Sequence, residues 1–252
     1  MKSARAFAVG IVLCGFEMLC AHGVEAAELC HTPAPETLIN WYQNTHRQAP
    51  LHYSPKNSAI YHPVATLRTT SPALTWIGLA WLSPVSGALF AVSCEGQPLA
   101  AISRGAVGKL SAGPVLPEFG QTVVLEYVDR ETAHCVHDSI DIAAFKAGQL
   151  RVLWTHESKQ GMNLAGKRTR FHGFVSRNYY VKIDSDGKAI HVTGEIAAYR
   201  YLKDGAQSTT PASKVTLPAE TYRWDEKKTS FVAQGRYRQF KPCVSSGWPS
   251  AK

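Results

Sequence analysis

The sequence predicts a mainly β fold: an antiparallel hairpin meander that forms a sandwich or an open barrel, with one short N-terminal helix. Runs rich in Tyr, Val, Ile, Phe and Trp recur along most of the chain, and tight polar turns separate them. Charged residues make up 18% of the chain and hydrophobic residues 45%. Such a composition is typical of a packed globular protein and excludes a wholly disordered one.

Residues 1–26 have the order of a secretory signal peptide. Lys2 and Arg5 precede an apolar run at residues 6–16, and a small-residue cleavage site ends at Ala26. The apolar run is much shorter than the roughly 20 residues that a membrane-spanning helix needs. We therefore expect a periplasmic or secreted protein without a membrane span, in which residues 27–252 form a single mainly β domain.

A short helix is predicted at the start of this domain. Pro35 suits the first turn of a helix, and Leu38, Ile39 and Tyr42 follow at helical spacing. The pattern ends near His46, and a connection interrupted by prolines follows it. The helix therefore presents one apolar stripe, which it can bury against the β structure.

Four later segments have the pattern of a β-hairpin, in which an apolar strand, a tight polar turn and a second strand follow one another. The predicted turns lie at residues 95–97, 147–149, 185–187 and 225–228. Three of them contain a glycine, which accommodates the positive φ angle that many hairpin turns require. The hairpins share no fixed period, so the pattern favours a meander rather than a propeller.

Two further segments are predicted to be loops that interrupt the strands. Residues 105–120 contain Pro114, Pro117 and several glycines, and residues 157–166 are mostly polar. Neither segment has the length or composition of an interdomain linker. Both are therefore assigned to a single domain.

Four cysteines remain after removal of the signal peptide: Cys30, Cys94, Cys135 and Cys243. An even number of cysteines in an exported chain indicates two disulfides, for which three pairings exist. We favour Cys30–Cys243, which would tie the two proline-rich ends to the domain, and Cys94–Cys135, which would join two strands. The cysteines are too far apart in sequence for a C-x-x-C zinc site.

Basic residues alternate with aromatic ones in two stretches of the chain. Arg168 and Arg170 precede a Phe-His pair, and Arg236 and Arg238 flank Tyr237. Positive charge beside flat rings suits an acidic protein or an anionic envelope polymer, and an exported protein rarely meets nucleic acid. With a formal charge of +8, this pattern favours a non-catalytic binding or inhibitor-like protein without a cofactor. A solvated strand face would produce the same pattern without binding anything.

The alternative function is an extracytoplasmic hydrolase, with zinc as a candidate cofactor. His134, His137 and His156 lie near Asp138 and Glu157, and imidazole and carboxylate groups can hold zinc or act as a base and its orienting partner. In an ideal strand His134 and His137 point to opposite faces, so convergence requires a turn or a bulge. Otherwise these are partly exposed histidines around a disulfide.

Two well-known catalytic motifs are missing from the sequence. The segment from Gly105 to Lys109 resembles a phosphate-binding loop, but Ser103 and Leu110 occupy positions that require Gly and Ser or Thr. No G-x-S-x-G sequence occurs, so the usual nucleophile signature of α/β-hydrolases is absent. The hydrolase hypothesis therefore depends on the histidine cluster alone.

Overall fold

A computed structural model describes residues 30–46, 62–81, 83–132, 135–163 and 173–237. These residues form one helix and twelve antiparallel strands, which confirms the predicted mainly β fold with one short helix. The predicted signal peptide lies outside the described ranges. Helix α1 spans Pro35–His46, and Pro35 at its start and His46 at its end confirm both predicted boundaries.

The first four strands form one sheet in the order β1-β2-β3-β4. Their bounds are His62–Thr70, Ala73–Trp81, Ser83–Val92 and Pro98–Arg104. Helix α1 covers the outer face of this sheet, because its Leu38, Ile39 and Tyr42 pack against apolar residues of β2 and β3. The apolar stripe of the helix is thereby buried.

The other eight strands form a second sheet in the order β12-β11-β10-β9-β8-β7-β6-β5. Their bounds are Val107–Leu116, Gly120–Thr132, Cys135–Lys146, Gln149–Asn163, Gly173–Ile183, Ala189–Arg200, Ser213–Asp225 and Ser230–Ala233. Each strand pairs with its neighbour in sequence, which is the predicted meander. All four predicted hairpins are present, as β3-β4, β7-β8, β9-β10 and β11-β12.

The two sheets pack face to face, so the sandwich is the correct form of the predicted fold. A core cluster between the sheets joins Trp76 and Leu89 of the small sheet to Val123 and Leu125 of the large one. One ion pair also joins the two sheets: the Nε of Arg104 lies 2.7 Å from the Oδ2 of Asp141, which is fully buried. Burial of large side chains on both sheets provides most of the stabilisation.

The large sheet folds back on itself between β8 and β9. Within the described ranges these strands pair only where Lys159–Asn163 meets Phe174–Asn178, and the rest of β8 has no β9 partner. Strand β12 instead contacts β8, and a second core fills the angle between the two halves of the sheet. Its members include Ile142, Trp154, Ile190 and Phe231. The divergence of β8 and β9 opens the space in which the candidate site lies.

The loops predicted at residues 105–120 and 157–166 are largely wrong. Residues 107–116 form β5, and β8 continues to Asn163. Strand β5 lies at the edge of the large sheet. The missing N–H of Pro114 therefore does not break a hydrogen bond inside the sheet. Its pairing with β6 shifts register between Ala112 and Val115, so a bulge accommodates the proline.

The predicted disulfide pairings are wrong, because Cys30 bonds to Cys94. The segment before α1 runs beside the end of β3, where the backbone N–H of His31 donates to the carbonyl of Cys94 at 2.8 Å. The packing of α1 on β2 and β3 thus brings Cys30 to the small sheet. Cys135, at the start of β7 in the large sheet, is disulfide-bonded too. Cys243 lies outside the described ranges.

The only helix among the described residues is α1, and it is too short to cross a lipid bilayer.

Candidate functional site

A cavity of about 760 Å³ lies where β8 and β9 diverge. Six strands and the segment that follows β12 form its walls. The lining residues are Asp129, His137, Ser139, Thr155, His156, Glu157, Tyr179, Glu220, Tyr222, Ala233, Gly235, Arg236 and Tyr237. Its volume falls in the range of cavities that hold small organic ligands. Titratable and aromatic side chains line most of it.

Two irregularities in strand pairing lie beside this cavity. The β6–β7 register shifts between Val128 and Arg130, which leaves Asp129 as an extra residue. The β7–β8 register shifts where Asp138 and Ser139 pair with Lys159 and Glu157. Bulges bend a strand and change the direction of nearby side chains. The extra residue of β8 is Ser158, so the irregularity directly follows His156 and Glu157, which both line the cavity.

His156 is held by hydrogen bonds at both ring nitrogens. Its Nδ1 lies 2.5 Å from the backbone carbonyl of Glu157, and its Nε2 lies 3.2 Å from Oε2 of Glu220. The same Glu220 oxygen accepts a hydrogen bond from the hydroxyl of Tyr222 at 2.5 Å. Carbonyl and carboxylate oxygens are both hydrogen-bond acceptors, so each ring nitrogen of His156 faces one. The site thus contains a histidine that two acceptors orient from opposite sides.

Aromatic rings fix the plane of this imidazole. The Trp154 ring stacks on it with centroids 5.5 Å apart, and the Tyr179 ring meets it edge-on at 4.8 Å. Tyr222 also contacts His156 edge-on, at 6.0 Å. Edge-to-face and stacked contacts of this kind restrict ring rotation and contribute beyond simple burial. His156 is therefore a preorganised group rather than a mobile surface histidine.

His137 lies between two carboxylates on the neighbouring strands. Its Nδ1 is 3.2 Å from Oδ2 of Asp129, and its Nε2 is 3.9 Å from Oε2 of Glu157. No hydrogen bond forms at this Nδ1, so the approach of Asp129 is an electrostatic contact. The His137 side chain is almost fully buried, whereas that of Asp129 is half-exposed. Asp129 therefore lies between this buried histidine and the solvent outside the cavity.

Glu157 is the carboxylate that connects the two histidines to a buried arginine. Both of its carboxylate oxygens lie within 3.4 Å of Nη1 of Arg177, whose side chain is fully buried. Burial raises the pKa of Glu157 above its ordinary value, although Arg177, His137 and His156 each act to lower it. Desolvation outweighs the combined attraction of its partners. Glu157 therefore holds a proton more tightly than an exposed carboxyl group does.

The two tyrosines beside His156 stay neutral. Burial raises the pKa of Tyr179, and the nearby Glu157 carboxylate raises it further. Burial also raises the pKa of Tyr222, as does the hydrogen bond that its hydroxyl donates to Glu220. Both phenols therefore present neutral rings and hydroxyl groups to the cavity.

The structure brings together some of the predicted site residues. Arg236 lines the cavity and is exposed, whereas Arg168, Arg170 and Arg238 lie outside the described ranges. Of the histidine cluster, His137 and His156 line the same cavity, and His134 is not described. Within the described part of the chain, no group of three or more His, Cys, Asp or Glu side chains is placed to hold a metal ion.

Sequence reasoning did not find Glu220 or Tyr222. They lie two apart on β11, so both can point to one face, and this spacing was the available signal. The sequence contains many pairs of polar residues two positions apart. Only the position of β11 beside His156 in the folded protein distinguishes this pair.

No family model, curated protein or solved structure matches this chain.

Proposed function

We propose that this protein is an exported, non-catalytic binding protein that holds an anionic component of the cell envelope at the mouth of the cavity. The observation that supports this most directly is the position of Arg236. It is an exposed cation at the cavity wall, on one of the two basic and aromatic stretches of the sequence. The disulfide between Cys30 and Cys94 and the signal-like residues 1–26 support export.

The segment that carries Arg236 is fixed to the large sheet. The hydroxyl of Tyr237 accepts a hydrogen bond from the N–H of Thr221 at 2.9 Å and donates to its carbonyl at 3.2 Å. The N–H of Gln234 donates to the same carbonyl at 2.9 Å. Arg236 thus lies between two anchored residues, so less conformational entropy is lost when it contacts a ligand.

Replacement of Arg236 by serine should weaken binding to an immobilised envelope extract by about threefold or more, mainly through slower association. The combined replacement of Arg168, Arg170, Arg236 and Arg238 should weaken it further. Rising salt should weaken wild-type binding, because exposed charges are screened. Surface plasmon resonance at several salt concentrations measures all three effects.

The matched control is Lys227→Ser, which removes an exposed positive charge from a turn outside the cavity lining. It should leave affinity unchanged, and none of these replacements should alter the unfolding midpoint appreciably. Equal affinity of the quadruple variant and wild type at low salt would disprove the proposed function.

The convergence of His137 and His156 favours a second candidate function, an extracytoplasmic hydrolase. Each histidine lies within 3.2 Å of a carboxylate oxygen, and such pairs can act as a general base with its orienting partner. Both histidines line the cavity, so a substrate there would lie beside them. With water as the nucleophile, either histidine would act as the general base.

Under the hydrolase hypothesis, His137→Ala and His156→Ala should each abolish the release of soluble fragments from envelope polymers. His191→Ala is the matched control, because His191 is a partly exposed histidine 3.2 Å from Asp184, outside the cavity. It should retain full activity. Chromatography of the released fragments measures the rate, and wild-type protein that releases nothing would eliminate this candidate.

A further inference from the structure

Each carboxylate that lines the cavity already has a basic partner within the protein. Asp129 lies beside His137, Glu157 beside Arg177, and Glu220 beside His156. These contacts already engage the three carboxylates within the protein. A cationic ligand would have to compete with these partners, and an anionic group would have to approach three carboxylates. The arrangement favours an uncharged but polar occupant.

The remaining surface suits a ring that has apolar faces and carries hydroxyl groups. Tyr179, Tyr222 and Tyr237 are only partly buried and present ring faces and edges to the cavity, and the last two lie 5.8 Å apart at an angle of 44°. Thr155 adds a hydroxyl to the wall, and the carboxylate oxygens add acceptors. Aromatic rings contact the apolar faces of a ligand while the polar groups orient its hydroxyls.

We infer that the cavity takes a sugar ring of an acidic glycan, whose negatively charged substituent contacts Arg236 at the mouth. This inference rests on the proposed function and narrows its partner to a polysaccharide rather than an acidic protein. The acidic side chains of a protein would have to enter a cavity that already contains Asp129, Glu157 and Glu220. A glycan instead places uncharged hydroxyls among these carboxylates and keeps its charge outside, beside an exposed arginine.

A glycan array tests the inference with the full mature chain. The array carries uronic-acid-containing glycans, their neutral counterparts, and hexaglutamate peptides as the acidic protein probe. The key variant is Ala233→Trp, because Ala233 is an exposed residue of the cavity wall and the larger ring would occupy the space of the ligand. Gln234→Trp is its control, since residue 234 is exposed and does not line the cavity.

We expect wild-type protein to bind acidic glycans more strongly than neutral ones, and Ala233→Trp to lower this binding by about tenfold or more. Gln234→Trp should bind as wild type does. Binding to hexaglutamate without any glycan binding, or undiminished glycan binding by Ala233→Trp, would overturn the inference. If the protein bound hexaglutamate but no glycan, and Arg236→Ser reduced hexaglutamate binding, the proposed function would still hold. Absence of binding to every charged probe, together with salt-independent binding to envelope extract, would refute both.

Discussion

Replacement of Arg177 by methionine is expected to lower the free energy of unfolding by about 3–5 kcal/mol, because it leaves a buried carboxylate without its cation. The Arg177 side chain is fully buried, and that of Glu157, which it contacts, is only 12% exposed. Burial already raises the pKa of Glu157, so loss of Arg177 should raise it further. Near neutral pH the buried Glu157 carboxyl group must either ionise without a cation or remain protonated, and both lower the free energy of unfolding. Urea denaturation at this pH measures the effect.

Two further variants separate this cause from a general loss of packing. Lys214→Met removes an exposed lysine that lies 2.6 Å from Glu195, and it should leave stability nearly unchanged because surface pairs contribute little. The double variant Arg177→Met with Glu157→Leu removes both buried charges and should be more stable than Arg177→Met alone. If the double variant were less stable than the single one, the unpaired charge would not be the cause.

The hairpins could be predicted from the sequence because the interactions that define them are local. Gly96, Gly148 and Gly187 have positive φ angles in the turns where glycine was noted, and strand-forming residues flank each turn. The helix was equally accessible, since Leu38, Ile39 and Tyr42 become its buried residues. In both cases residues a few positions apart determine the structure, so a single sequence contains the necessary information.

The edge position of a strand and the bulges could not be predicted from the sequence in this way. Pro114 and the neighbouring glycines indicated a loop, but the segment forms an edge strand whose outer side needs no backbone hydrogen bonds. Whether a proline lies at an edge depends on the order of strands in the sheet, which its own neighbours in sequence do not reveal. The same holds for the extra residue Asp129 in β6, which is defined only by the pairing with β7.

The candidate site depends on contacts between distant parts of the chain. His156 and Glu220 are 64 positions apart, and they meet because the large sheet folds back between β8 and β9. The sequence identified His137 and His156 as candidates by residue type and Arg236 by its aromatic neighbours. It could not show that all three line one cavity, nor that Glu157 connects the histidines to a buried arginine.

Removal of the Cys30–Cys94 bond is expected to lower the free energy of unfolding by about 4 kcal/mol in the chain-entropy model. The two cysteines are 64 positions apart, so their bond closes a long loop that contains α1 and the first three strands. The double variant Cys30→Ala with Cys94→Ala removes the bond without leaving a free thiol. Urea denaturation under oxidising conditions gives the difference from wild type.

Reduction supplies the control for this disulfide. Wild type treated with a reductant should lose at least as much stability as the double variant, because Cys135 is also disulfide-bonded. Under oxidising conditions, peptide mapping should recover Cys30 joined to Cys94, which leaves Cys135 to pair with Cys243 in the mature chain. The N-terminal segment would then be tied to the small sheet, and β7 of the large sheet to the C-terminal part of the chain. Recovery of Cys94 joined to Cys135 would contradict the observed pairing, since the ends of β3 and β7 belong to different sheets.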